Sequence, residues 1–257
     1  MQAVIKDEMD EETQRQWAER AVRATRQVFP FDEPPPWHSS QRYLPQALVC
    51  EELIKEWNLT FDEAATLLNN AGSYLRNRGQ YREAEPLLQY ALTIRENRYG
   101  RDHPNTSSLL HNLALLYNDQ GKYEEAEPLY QRALAIREKV LGPEHPDTAS
   151  TLNSLAILYK NQGKYEEAEP LHQRALAIRE KVLGPEHPDT ALTLDNLANL
   201  YAEQGKYEEP LPLYQRALVI REKVFGLDHP FTKRAREDYT NLLQKMGQKT
   251  EGVDQQN

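Results

Sequence analysis

Apolar positions recur along this chain at the period of a helix, and the helices then recur as a block. Leu110, Leu113, Ala114 and Tyr117 stand at i, i+3, i+4 and i+7, the spacing of a stripe buried along one side of an α-helix. That stripe predicts a helix over about 106–119, with Asp147 and Thr148 as caps for the next helix of the same kind. A second run, Ala126, Leu129, Tyr130, Ala133 and Leu134, with Ile136, Val140 and Leu141 in part, predicts a partner helix over about 123–141 that Gly142 stops. Pro128 is placed near the first turn of that helix, as are Pro86 and Pro170 in theirs, where a missing amide costs little.

The block is marked by glycine. Nine of the eleven glycines fall on a comb of spacing 21, from Gly79 to Gly247. Alternate teeth sit in different contexts, Gln-Gly-Lys-Tyr-Glu-Glu against Leu-Gly-Pro-Glu-His-Pro-Asp, so the period is 42 and each unit holds two helices and two turns. The units run 64–105, 106–147, 148–189 and 190–231, followed by a half unit from Thr232 to about Gly247. Two such helices cannot bury their apolar faces alone, so stacking on neighbours is required. The final helix, with Lys233, Arg234 and Arg236, reads as a solvent-facing cap. Pro210 and Pro212 at the start of the last second helix should delay or tighten its first turn.

The organisation expected is an N-terminal helical segment over 1–59, an array over 60–247 and a disordered tail over 248–257. Within the first segment, helices are predicted over about 11–28, with Trp17, Ala21 and Val22, and over about 40–57. Between them runs a proline-rich connector from Phe29 to Trp37. Thr60, Phe61, Asp62 and Glu63 read as a capping box opening the array.

Leu113-Ala114-x-x-Tyr117, Gly121-x-Tyr123 and Ala126 resemble the tetratricopeptide signature over about residues 60–247. The long second helix and the Gly-Pro-Glu-His-Pro-Asp loop are similar to the arrays of kinesin light chains and of many bacterial proteins. The resemblance implies an all-α fold, a right-handed superhelix of antiparallel helix pairs (an α-solenoid). Its first helices would line a concave groove for peptides or protein segments. The pattern from Trp17 through Phe29-Pro30 and Trp37 to Tyr43-Leu44-Pro45-Gln46-Ala47 resembles the segment that joins a nucleotide-binding module to its array in bacterial STAND-type signalling ATPases.

Units 106–147 and 148–189 share 34 of 42 positions, and seven of the eight differences lie in the first helix. The eighth is Tyr130 against His172. Positions 111, 112, 115, 118 and 119 sweep an arc of roughly 120° on a helical wheel, centred about 150° from the constant stripe. Exposed positions drift freely, yet Gln131, Arg132, Arg137, Glu138 and Lys139 on the second helix repeat unchanged, which points to the varied arc as the recognition surface. The candidate groove residues are Asn69, Ser73 and Arg76; His111, Leu115, Asn118 and Asp119; Asn153, Ile157, Lys160 and Asn161; and Asp195, Asn199 and Glu203. Asparagine offers a donor and an acceptor to an extended backbone, and the likeness to kinesin light chains gives most weight to Asn69, Asn153 and Asn199. Leu115 and Ile157 form an apolar centre, Arg76 and Lys160 read as cations selecting acidic residues, and Asp195 and Glu203 reverse the sign.

Composition narrows the function. Lys+Arg 31 against Asp+Glu 40 leaves a formal net charge of -9, which disfavours phosphate-driven nucleic-acid binding and anionic membrane surfaces. One cysteine, Cys50, forms no intrachain disulfide and reads as a core residue, and with no targeting or spanning run the expected location is cytoplasmic. His103, His145, His187 and His229 repeat every 42 residues before proline, too far apart to share a metal ion, and are expected to serve their own loops. No P-loop, catalytic constellation, cofactor site or metal site is read. The expectation is a non-catalytic scaffold for a protein or linear peptide, with no small-molecule substrate, and a sensor part of a STAND-type system as its setting. The alternative is a structural spacer or self-assembling rod.

Overall fold

The computed structural model describes residues 9–30 and 38–254, with side-chain positions through Gly247. Among the described residues the structure is all-α: α1 (Glu11–Val28), α2 (His38–Glu56), α3 (Asp62–Asn77), α4 (Tyr81–Tyr99), α5 (Pro104–Asp119), α6 (Tyr123–Val140), α7 (Pro146–Asn161), α8 (Tyr165–Val182), α9 (Pro188–Glu203), α10 (Pro210–Phe225) and α11 (Pro230–Asp254). The chain forms two compact units, Met1–Ile136 and Arg137–Asn257.

In the first unit, α1 and α2 pack on each other and on α3, α3 pairs with α4, and α4 packs on α5. Val22, Phe29, Cys50, Ile54 and Leu59 join Leu67, Leu68 and Leu88 in one apolar core. Val22 turns inward, whereas Trp17 is 55% exposed, so the apolar pattern of α1 does not put its largest side chain in the core. The Cys50 thiol donates to Thr25 Oγ1 at 3.3 Å. In the second unit, α7 pairs with α8, α9 with α10, and α10 packs on α11. Ala156 of α7 and Ala168 of α8 share a cluster with Leu197 and Leu200 of α9. Alanine at the helix crossings lets the axes approach closely enough for the leucines to interlock.

Turns follow the glycine comb. At Gly163 φ is 76°, open to glycine at no steric cost, and Lys164 N then reaches back to Tyr159 O at 2.8 Å to close the helix end. The repeated histidines do serve their loops. His145 Nδ1 accepts from Asp147 N and His187 Nδ1 from Asp189 N, both at 3.1 Å, each histidine capping a helix that proline opens. This corrects the caps expected at Asp147 and Thr148. Proline at the first position moves the start of the helix forward, and the Thr148 hydroxyl instead donates to Gly142 O at 3.0 Å. Replacing His145 by alanine is expected to cost about 1 kcal/mol, and asparagine should restore most of it. Urea midpoints of the two variants measure this, and equal losses would rule out capping as the cause.

Other boundaries also differ from the sequence reading. α3 begins after Phe61 with no side-chain cap, so the Thr60 capping box does not form. α6 begins at Tyr123 as expected and α8 at the equivalent Tyr165, with Pro128 and Pro170 inside the helices, just past their first turns. α10 starts at Pro210, three residues later in the repeat than α8, the delay expected of its prolines. On α11, Lys233 and Arg234 are exposed, whereas Arg236 pairs with Glu222 at 2.7 Å. α11 continues to Asp254 through part of the expected tail, and residues 255–257 lie outside the described residues, as do 31–37 of the expected connector.

Candidate protein-binding face

Within each unit two successive first helices, α3 and α5 or α7 and α9, lie side by side, and a residue on one meets the residue 43 positions later on the other. In the first unit Asn112 Nδ2 donates to Asn69 Oδ1 at 2.9 Å, and Arg76 Nε lies 3.5 Å from Asp119 Oδ2. The second unit repeats both links with Asn196 Nδ2 to Asn153 Oδ1 at 3.2 Å and Lys160 Nζ to Glu203 Oε1 at 2.8 Å. Each unit therefore carries an amide rung and an ionic rung across its pair of first helices.

These rungs change the roles expected of the candidate residues. Asn69 and Asn153 are 4% and 5% exposed, and Asp195 is 5% exposed beside the Arg221 guanidinium. The side-chain oxygens of Asn69 and Asn153 hold neighbouring helices together rather than standing open to a ligand. Arg76 and Lys160, read as free cations, are each paired, as is Glu203, because a 43-residue offset brings long side chains of opposite charge together. The negative charge expected at Glu203 is thus balanced within its rung. Asp119 keeps a raised proton affinity because burial outweighs the Arg76 charge. Ser73, His111, Leu115, Asn118 and Ile157 are half-buried and Asn161 is exposed. Asn199 Oδ1 accepts from Tyr214 OH at 2.5 Å, which leaves its amide hydrogens available.

Beneath each first helix lies a second-helix residue that sequence reasoning left out of the site. His111 meets Tyr130 edge-to-face at 5.5 Å between ring centroids, and His172 Nδ1 lies 3.0 Å from Asn153 Oδ1. Since that oxygen already accepts from Asn196, Nδ1 of His172 carries the proton and donates. Burial, with Lys160 and Arg179 nearby, pushes the His172 pKa down to about 3, so the ring stays neutral. The signal was present in the sequence. Tyr130 against His172 is the one second-helix difference between the two units, and it changes together with His111 against Asn153.

The constancy of the second helices has its own cause. Arg137, read as exposed, is 6% exposed, and its Nη1 donates to Asp147 O at 2.9 Å and Thr151 Oγ1 at 2.6 Å. Arg132 pairs with Glu96 at 2.6 Å, Arg174 with Glu138 at 2.7 Å and Arg216 with Glu180 at 2.5 Å, each tying one second helix to the one before it. Among the described residues, no group of three His, Cys, Asp or Glu side chains is placed to hold a metal ion. No described helix is long and apolar enough to cross a membrane.

No curated protein matches the chain. Among solved structures, the nearly identical TPR-like repeats of a protein from Podosopora anserina assigned as a kinesin light chain align at TM-score 0.63 and 26% identity, over 76% of this chain and 93% of that one. A single-substitution variant of those repeats aligns at TM-score 0.61 and 28% identity, over 73% and 88%. BtubC (BKLC) from P. vanneervenii shares the fold at TM-score 0.61 and 23% identity, over 96% and 90%. A tetratricopeptide-repeat model matches residues 147–218, and the model described as the Nephrocystin-3 TPR domain matches residues 38–181. With more than half its length under that second model and the helix pairing that its repeats require, the chain belongs to the Nephrocystin-3 TPR domain family, built from tetratricopeptide repeats of kinesin-light-chain type.

Proposed function

We propose that the chain is a non-catalytic scaffold that binds a peptide or protein segment on the first-helix face of its repeats. Tetratricopeptide repeats mediate protein–protein interaction, and the matches to such repeats support that coarse function here. One observation carries the finer reading. The first-helix face changes residue by residue between repeats while its rungs keep it rigid, so it is both individually addressed and preorganised. The constant second helices add no weight, because their ion pairs explain their constancy.

With the cations paired within the face, ligand selection rests on shape and backbone hydrogen bonds more than on net charge. Leu115 and Ile157 supply apolar contact, and Asn118 and Asn199 supply polar contact. The test is capture of partners by the tagged chain. Leu115→Ser with Ile157→Ser, which removes the apolar contact from the first-helix face of each unit, is expected to weaken capture about tenfold or more. The control, Gln131→Ala with Gln173→Ala on exposed second-helix positions, should leave capture unchanged. Circular dichroism checks the fold of both variants. Unaltered capture by the serine variant leaves the spacer alternative in its place. The resemblance around Trp17 to Ala47 supports a setting as the sensor part of a STAND-type signalling protein, which a nucleotide-binding module encoded in the same reading frame would test.

A further inference from the structure

The last repeat of the second unit departs from its predecessors around one place. Between α9, α10 and α11 lies a cavity of about 470 Å³, within the size range of sites that hold a ligand group. Its apolar walls are Leu192, Phe225 and Phe231, the two rings meeting edge-to-face at 6.0 Å, and all three side chains are exposed. One repeat earlier these positions hold Ser150, Leu183 and Asp189.

The polar groups of the cavity are rewritten in a way that leaves charge uncompensated. Where earlier rungs pair Asn69 with Asn112 and Asn153 with Asn196, this rung position holds Asp195 and Asp238, two carboxylates that cannot hydrogen-bond each other without a proton. Arg221, unlike Arg179 before it, has no threonine to bond on the next helix, because Ala235 replaces Thr193. Its guanidinium keeps the counterpart of the Arg179–Asp189 O bond, donating to Phe231 O at 3.2 Å, and pairs with Asp195 Oδ2. Asp195 Oδ1 is buried with no hydrogen-bond partner, and Asp238 makes no hydrogen bond or ion pair among the described residues. Asp189 adds a third carboxylate to the lining against Arg221 and Arg234, and Arg234 is exposed at the rim. Three carboxylates therefore line the cavity against two guanidiniums, and with Arg221 taken by Asp195 it is Asp238 that has no ion pair among the described residues.

We infer that this cavity is a pocket for a basic side chain, arginine or lysine, of a bound protein segment, with its cation between Asp238 and Asp195 and its stem along Phe225 and Phe231. An aliphatic stem fits the apolar walls, a cation gains from the ring faces, and its donors satisfy the carboxylates that the rung leaves unpaired. Burial raises the proton affinity of Asp195 despite the Arg221 guanidinium beside it, and the neighbouring Asp238 charge adds to the rise.

The inference rests on the proposed function only in assigning the guest to a protein segment; the experiment below reads the pocket alone. The full chain is titrated with N-acetyl-arginine N-methylamide and N-acetyl-lysine N-methylamide while the Asn199 side-chain amide and the Leu192 methyls are followed by NMR. At least one probe should give saturable shifts. N-acetyl-citrulline N-methylamide should bind about tenfold more weakly, the loss expected when a charge-assisted hydrogen bond becomes neutral. Asp238→Asn, at a half-buried position, should weaken the basic probe about fivefold or more, and added salt should weaken it further. Equal binding of citrulline, indifference to Asp238→Asn, or shifts only with N-acetyl-aspartate N-methylamide would overturn the assignment. A chain that binds the basic probe yet whose Leu115→Ser, Ile157→Ser variant still captures its partners would keep this pocket and lose the first-helix reading.

Discussion

Acidification to about pH 4 is expected to remove about 3 kcal/mol of folding stability through His172 alone. The ring is 0% exposed, and its pKa falls from 6.5 to about 3 on folding, chiefly because burial penalises the imidazolium. Below about 6.5 the unfolded chain takes up a proton that the folded chain refuses, so the stabilisation is full above that value and is lost as pH falls toward 3. Asp195 acts with the opposite sign in the same unit. Its pKa rises from 3.8 to about 7, so the folded chain holds the extra proton and stability declines as pH rises between those values. The two effects partly cancel in the wild-type profile, and the measurement has to be a difference. Urea midpoints of wild type and His172→Gln, followed by circular dichroism across the range, should converge near neutrality and separate by about 3 kcal/mol near pH 4, with glutamine the more stable. A gap that does not change with pH would mean that folding leaves the His172 pKa unshifted.

Replacing Asn153 by leucine should cost about 2–4 kcal/mol, because it strands the Nδ1–H of His172 and the Asn196 amide in a buried site. Copying the earlier repeat, with Asn153→His and His172→Tyr together, should recover at least half of that loss. His111 and Tyr130 already show that the two rings fit face to edge at this height in the helix pair. Each single change should be worse than the pair, with a coupling of about 1–2 kcal/mol from the double-mutant cycle. Strict additivity would mean that the face and its floor vary independently. Coupling would mean that any attempt to redirect the first-helix face has to redesign positions 130 and 172 with it.

Much of the fold was legible in residue order. The 42-residue period, the two helices per unit and the glycine breaks follow from apolar spacing and from residues that tolerate positive φ. Local chemistry misled where two signals competed. Thr60 looks like a cap, but the helix begins after Phe61, and Asp147 looks like a cap, but His145 and Pro146 start the helix sooner. Arg137 read as surface because an arginine usually is. It is buried because two acceptors on the next helix, Asp147 O and Thr151 Oγ1, meet its guanidinium.

The candidate site divides differently. Residue order alone determined which side of each first helix varies, since angular position on a helix depends only on its own period. It also contained, unread, the paired change of Tyr130 to His172 with His111 to Asn153. Only the packing of one helix pair on the next decided that Arg76 meets Asp119, that Lys160 meets Glu203, and that Asn153 is covered rather than open. A helix specifies the direction of its side chains, but the identity of their neighbours depends on the offset between separate helices. That offset is set by alanines and leucines at the crossings, far in sequence from the polar residues whose partners they choose.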